Sequence, residues 1–198
     1  MALTNYSDLQ QTVANFLVRD DLATYIPDFI ALAESRIASD LDTTDLHVTT
    51  TMTVESASEI LPDNFKGMVR FNLEGVYPSL DYMPPDRFHS TYAVNVSGRP
   101  TAYTIEGDSI FFAPYPATSL TATYTYTAKP SLATDNTNRL MTNAPDVYLY
   151  ASLCEAARFL LDDDMLAKYE PAYRESMDRL NDVDQNKGAM SLQLDGVV

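Results

Sequence analysis

The sequence predicts an α+β fold, in which a helical bundle built from both ends of the chain carries an inserted antiparallel β lobe. Apolar residues recur at helical spacing near the two ends, whereas between them the apolar period changes to two, as in half-buried strands. The 198 residues are 45% apolar, which suffices for a sizeable core and argues against intrinsic disorder. We therefore expect a bundle from residues 1–44 and 140–186, a β lobe from 45–139, and an extended C-terminal arm from 187–198.

The first segment predicts two antiparallel helices. Ser7, with Gln10 three places on, is a capping-box pattern at the start of the first helix. Pro27 suits the first turn of the second helix, whose apolar residues continue at helical spacing to Leu41. The acidic pair Asp20-Asp21 falls between the two patterns and predicts the connection.

The β lobe begins at Leu46, where the apolar period changes. A hairpin is predicted around Glu106-Gly107-Asp108, because apolar alternation on both sides is interrupted there by turn residues. The predicted strands are 46–54, 59–61, 69–73, 77–83, 101–105, 109–113 and 120–128, with a short helix over 87–92.

The second helical part predicts another helix pair. Asn143 can cap the first of these helices and Pro145 fits its first turn. The run Asp162 to Asp164 predicts the turn into the last helix, in which Pro171 predicts a kink or a restart. We expect that helix to end near residue 186.

The final residues predict an interaction arm, because apolar side chains alternate there with little charge. Such a segment can add to a neighbour's sheet or lie in its groove. A frayed tail without a partner is the alternative. The candidate residues for binding a neighbouring subunit or another partner are Met190, Leu192, Leu194, Val197 and Val198.

The charge balance and the lengths of the apolar runs limit the classes of partner that the protein can have. The formal net charge of −15 comes from acids spread along the chain, and such a surface repels phosphate, which disfavours ordinary nucleic-acid binding. No run approaches the roughly 20 apolar residues of a membrane span, and no secretory signal is evident. We therefore expect no membrane partner and a protein made and kept in the cytosol. The single cysteine, Cys154, excludes an internal disulfide, and we expect it to be buried.

The search for chemistry favours a structural or interaction protein over an enzyme. His47 and His89 have no local partners at metal-ligand spacing, and consecutive aspartates at 162–164 point in different directions. Glycine-rich phosphate loops, nucleophile elbows and zinc-binding helix motifs do not occur. We therefore assign no catalytic, metal or cofactor site. The alternative is a small carboxylate-dependent hydrolase, such as a cell-wall glycosidase, built from two convergent acids.

Five blocks, in order along the chain, carry a resemblance to a known family. They are RDDLATYIPDFIALAESRIASDL (19–41), ILPDNFKGMVRFNLEG (60–75), GRPTAYTIEGDSIFFAPYP (98–116), LTATYTYTAKPSLATDN (120–136) and APDVYLYASLCEAARFLLDDD (144–164). The series resembles the adaptor, or head-completion, proteins of tailed bacteriophages, particularly those with short tails. The similarity runs from about Thr4 to Leu180, and the residues after it do not align.

The resemblance implies a structural virion protein at the head-to-tail junction. In such proteins a helical bundle with an inserted β lobe assembles as a ring, commonly dodecameric, below the portal protein. The ring extends the DNA channel, through which DNA passes without specific binding, and is a platform for tail nozzle and tail fibre proteins. A third interpretation is that the protein is a tail or minor capsid protein that also assembles as a ring.

Overall fold

The computed structural model describes residues 3–41, 43–76, 79–92 and 96–194, except for the side chains of residue 20 and residues 184–194. Its elements, in chain order, are α1 (Tyr6–Leu17), α2 (Ile26–Asp40), β1 (His47–Val54), β2 (Ser58–Ile60), β3 (Phe65–Leu73), β4 (Asp81–Tyr82), α3 (Pro85–Thr91), β5 (Ala102–Glu106), β6 (Ser109–Ala113), β7 (Leu120–Ala128), α4 (Leu132–Asp135), α5 (Arg139–Asn143), α6 (Pro145–Leu160) and α7 (Asp163–Leu194). Single turns of 3-10 helix lie at Asp20–Leu22 and Thr44–Leu46. The α+β class is confirmed.

The chain divides into two compact units, a helical unit of residues 1–46 and 129–198 and a β unit of residues 47–128. The predicted lobe of 45–139 is longer than this β unit. Residues 129–139, which were expected to belong to the lobe, include α4 and the start of α5. Leu132 is fully buried in the core of the helical unit, so this segment packs with the helices.

Helix α6 is the centre of the helical unit, since α2 and α7 both pack against it. Its residues Val147, Tyr148, Leu153 and Cys154 are fully buried, which explains the broad apolar surface seen in the sequence. Helix α1 contributes Leu9 and other residues to the same core, and it touches α6 as well as α2.

Two predicted helix caps are wrong. Helix α1 is capped by Asn5, whose side chain accepts a hydrogen bond from the backbone N–H of Asp8, and Ser7 lies inside the helix. Asn and Ser have similar preferences for the cap position, so sequence alone does not choose between them. Helix α6 is preceded by Ala144 as its cap residue, because Asn143 is the last residue of α5, and the Asn143 side chain donates to Asp45 at 3.0 Å.

The last helix is longer than predicted. Asp162 accepts a hydrogen bond from the N–H of Met165 at its start, and the helix then continues through Pro171 to Leu194. The predicted end near residue 186 and the extended arm over 187–194 are therefore wrong. A glycine such as Gly188 costs a helix only about 1 kcal/mol, and the Ala, Met, Leu and Gln residues that follow are good helix formers.

The β unit contains two sheets. One has the order β1-β7-β3 and is antiparallel throughout. The other has the order β2-β6-β5-β4, in which the hairpin of β5 and β6 pairs as predicted and β4 joins β5 in parallel. At the hairpin turn Gly107 has φ +58°, a conformation that glycine adopts without strain. Helix α3 covers part of the second sheet through Phe88, which packs with Ala102 and Ala113.

Strand β3 departs from the expected alternation. Its pairing with β7 shifts register between Met68 and Arg70, so that an extra residue is accommodated there. Val69, which was expected on the same face as Phe71 and Leu73, is consequently 50% exposed, whereas Phe71 and Leu73 are buried.

Candidate interaction surfaces

The predicted arm residues are only partly described. Met190, Leu192 and Leu194 lie in the helical backbone of α7, but their side chains are outside the described residues, as are Val197 and Val198 altogether. Their role in binding a portal protein or a neighbouring subunit stays a prediction. If they do bind a partner, the part up to Leu194 presents a helix to it.

The residues considered for catalysis or metal binding lie on different elements. His47 begins β1, and His89, on α3, shares a hydrogen bond between its Nε2 and Oε1 of Glu106 on β5. Asp162 and Asp163 start α7, where acidic side chains interact favourably with the helix dipole. Among the residues that the structure describes, no three His, Cys, Asp or Glu side chains are grouped so that they could share a metal ion.

Cys154 is buried, as expected for a core residue of α6. Burial raises the pKa of its thiol to about 11. A thiol with so high a pKa has little thiolate near neutrality and reacts slowly. Among the described helices, none has the length and apolarity needed to cross a membrane.

A cavity of about 430 Å³ in the helical unit brings two carboxylates together, which is the arrangement a hydrolase would need. Asp45 accepts a hydrogen bond from Asn143 and lies 3.9 Å from Arg139. Asp146 is ion-paired with Arg179 and accepts a hydrogen bond from the hydroxyl of Ser176. Both carboxylates are thus engaged by neighbouring side chains that donate hydrogen bonds or carry positive charge.

A carboxyl group with a raised pKa lies elsewhere in the helical unit. Burial of Glu34, on α2, raises its pKa to about 7, with Asp135 adding to the rise. Its Oε1 accepts a hydrogen bond from the N–H of Leu132 at 2.5 Å, which counteracts part of the shift. Glu34 does not line the cavity of Asp45 and Asp146. This hydrogen bond joins α2 to Leu132, the first residue of α4.

A partly buried ionic network connects α2, α6 and α7. The Arg36 guanidinium donates to Glu170 at 2.6 Å, lies 3.7 Å from Glu155, and stands over the ring of Tyr173 at 4.3 Å. The hydrogen bond from Arg36 lowers the pKa of Glu170, and Arg158 approaches the same carboxylate at 3.6 Å. One guanidinium therefore bridges three helices.

An exposed aromatic surface lies where α2 begins and α6 ends. The ring of Phe159 packs against those of Tyr25 and Phe29, with centroid distances of 5.2 and 5.3 Å. Phe29 is buried, but Tyr25 and Phe159 are about half exposed, and Leu161 just beyond is 88% exposed. Apolar groups left in water at one place are typical of protein contact surfaces.

The three-stranded sheet has one face made largely of threonine. Thr49, Thr51 and Thr53 of β1 stand beside Thr125, Thr123 and Thr121 of β7, and the hydroxyls of Thr49 and Thr125 are 2.9 Å apart. Except for Thr125, which is partly buried, these side chains are exposed. The opposite face carries the core residues Phe71, Tyr124 and Tyr126.

The sequence reasoning missed Glu34 and the network around Arg36. A signal existed for Glu34, since it lies four residues after Ile30 and three before Ile37 on the apolar stripe of α2, where a carboxylate must be buried. Arg36 gave no such signal, because its partners Glu155 and Glu170 are far away in the chain.

Comparison with known proteins gives one family. A family model described as SU10 adaptor protein matches residues 4–193, a range that includes both units. No curated protein matches the chain.

Proposed function

Because the chain belongs to the SU10 adaptor protein family, which is consistent with a phage head-to-tail adaptor, we propose that its copies form the ring between the portal and the tail. In this proposal the ring is dodecameric, lies at the head-to-tail junction of the virion, and extends the channel through which DNA leaves the head. The tail nozzle and tail fibre proteins attach to its other side. The observation that carries the proposal is the family match over nearly the whole chain.

The charge of the chain supports a role beside moving DNA. With a formal net charge of −15, a ring of many copies repels the phosphate backbone, and DNA can pass without being held. We infer that acidic side chains line the channel. A neutral or basic lumen in the assembled ring would contradict this inference.

Contact with other proteins is supported by the exposed apolar side chains of the helical unit. Tyr25, Phe159 and Leu161 form a surface that a partner can cover. We further propose that the C-terminal residues, including Met190 and Leu192, bind the portal or an adjacent copy.

The test is co-assembly of the purified chain with the purified portal protein of the same virion, imaged by electron cryo-microscopy. We expect a closed ring of twelve copies coaxial with the portal channel. A chain that remains monomeric beside intact portal rings, and that binds no tail component either, would contradict the proposed function.

A truncated variant tests the role of the C-terminal segment separately. A chain that ends at Lys187 should fold like the full chain but bind the portal at least about tenfold more weakly, because it lacks the apolar contacts of residues 188–198. Unchanged portal binding by this variant would show that the segment is not the docking element. The full chain is the control.

A further inference from the structure

The sheet β1-β7-β3 differs in charge from the rest of the chain. Strands β1 and β7 contain no Asp, Glu, Lys or Arg, and the only such residues of β3 are Lys66 and Arg70. With two bases and no acids, the three strands carry a formal charge of +2 in a chain whose total is −15. Copies of so acidic a chain repel one another, and the repulsion is least where the surface carries no acid.

Both edges of this sheet are open in the described residues. Strands β1 and β3 each pair with β7, and neither pairs with another strand on its outer side within the described part of the chain. Each edge also carries an exposed valine, Val48 at 40% and Val69 at 50%. About half of the backbone N–H and C=O groups of an edge strand point outward and can pair with another chain.

The two edges are not equivalent. Strand β1 pairs with β7 over eight consecutive residues without a register shift, and it contains no proline, glycine or charged side chain that would oppose further pairing. Strand β3 has register shifts and carries Lys66 and Arg70. Two β3 edges would place like charges against each other, whereas the uncharged β1 edge accepts β3 without repulsion.

We propose that β1 of one copy pairs with β3 of the next copy, so that the three-stranded sheet continues from subunit to subunit. This inference rests on the proposed ring, and it identifies the contact between neighbouring subunits that closes the ring. A contact between two different edges is head-to-tail, which is the symmetry of a ring, whereas pairing of β1 with β1 stops at a dimer. Backbone hydrogen bonds supply the affinity, and Val48 and Val69 are covered when the edges meet.

The test is cysteine crosslinking in rings assembled on the purified portal protein. Thr51→Cys lies on β1 and Asn72→Cys on β3, and both native side chains are exposed and occupy the same row of the sheet through Thr123. Native Cys154 is buried and adds little background. Mild oxidation joins the thiols as a disulfide only on neighbouring strands, since two cysteines of one chain would be about 10 Å apart across β7. A second double variant, Thr49→Cys with Asn72→Cys, covers a pairing shifted by two residues.

We expect chains that carry both cysteines to give a ladder of crosslinked multimers. Each single variant should stay monomeric on a denaturing gel, and a mixture of the two single variants should give dimers only. Dimers from Thr51→Cys alone would mean that β1 pairs with β1 and would overturn the proposal, as would crosslinks from β1 to a tail protein added to the rings.

A matched control uses the edges of the other sheet. Ile60→Cys with Tyr82→Cys replaces exposed residues on β2 and β4 and should give no ladder. The proposed function is tested first, by whether wild-type chains assemble on the portal at all, and without assembly both proposals fail. Rings that assemble but give no ladder with either double variant would contradict the edge pairing alone.

Discussion

The helical unit and the β unit hold their interiors together by different means. Buried and partly buried ionisable groups join the helices, as with Glu34 to α4 and Arg36 to Glu170. The core of the β unit is instead an aromatic cluster, in which the ring of Phe71 lies within 5.3 to 6.2 Å of the rings of Tyr103, Phe112 and Tyr124. In the described residues, both buried acids, Glu34 and Asp45, belong to the helical unit.

The difference follows from how each type of element fixes its register. Backbone hydrogen bonds hold the strands of a sheet together, and the apolar pattern and the turns select their register, so its core side chains need not form directional bonds. Helices satisfy their backbone internally and can slide or rotate against each other, so directional side-chain bonds between them add specificity. The predictions below test this contrast from the largest expected effect to the smallest.

The largest effect is expected in the aromatic core. Phe71→Ala removes a ring that is in contact with three others, and it should lower the free energy of unfolding of the β unit by about 4 kcal/mol. Urea denaturation followed by hydrogen exchange would show the loss in residues 47–128. Val69→Ala, on the same strand but half exposed, should cost less than about 0.5 kcal/mol. A loss below about 1 kcal/mol for Phe71→Ala would contradict the importance given to the cluster.

The next effect concerns the bridge between helices. Arg36→Met keeps most of the side-chain volume but removes the more buried of the two guanidinium groups that Glu155 and Glu170 share, and should cost about 2 to 3 kcal/mol. Arg19→Met breaks the exposed pair with Asp21 and should cost much less, because solvent screens exposed charges. Thermal unfolding of the two variants compares them directly. Equal losses would show that the bridge acts as an ordinary surface pair.

The third effect is a dependence of stability on pH in the helical unit. The pKa of Glu34 is raised from 4.5 to about 7 by burial, so folding favours its protonated form. The stability that it contributes is fully present below pH 4.5 and is lost as the pH rises through 7, by about 2 kcal/mol after allowance for solvent screening. Glu34→Gln keeps an acceptor for Leu132 and removes the titration.

The measurement is the free energy of unfolding at pH 5 and pH 8. Wild type should lose more stability between these values than Glu34→Gln, and the difference between them is the contribution of this one group. Phe71→Leu, which alters the other unit, should leave the pH dependence as in wild type. If Glu34→Gln and wild type respond alike to pH, the carboxyl is not buried in the way described.

The smallest effect concerns helix ends. Val18 closes α1 with φ 52° and Leu161 closes α6 with φ 54°, a left-handed conformation that is strained for both, and both side chains are over 80% exposed. Val18→Gly should therefore raise the free energy of unfolding by about 1 kcal/mol. Leu32→Gly, at an exposed site within α2, should lower it by about 1 kcal/mol, because glycine is unfavourable inside a helix. Calorimetry of both variants would show whether the signs are opposite.

Elements with a long, regular pattern could be predicted from the sequence, and local exceptions could not. The alternation in β7 and the apolar surface of α6 identify both elements. The register shift at Val69 is invisible, because a bulge depends on the partner strand. The extension of α7 through Gly188 was missed, because an alternating apolar pattern over so few residues also fits a helix. Contacts such as Arg36 with Glu170 join residues far apart in the chain, which only the folded structure brings together.

The pairing of His47 with Thr127 places the entrance and the exit of the β unit side by side. Residues 46 and 129 of the helical unit are therefore held close to each other, whatever the number of residues in the β unit between them. The entropy of closing that gap is offset by the β1–β7 ladder, and it grows only slowly with the length of the insertion. Residues of the β unit far from the β1–β7 base can therefore become more or fewer at a small entropic cost of closure between residues 46 and 129.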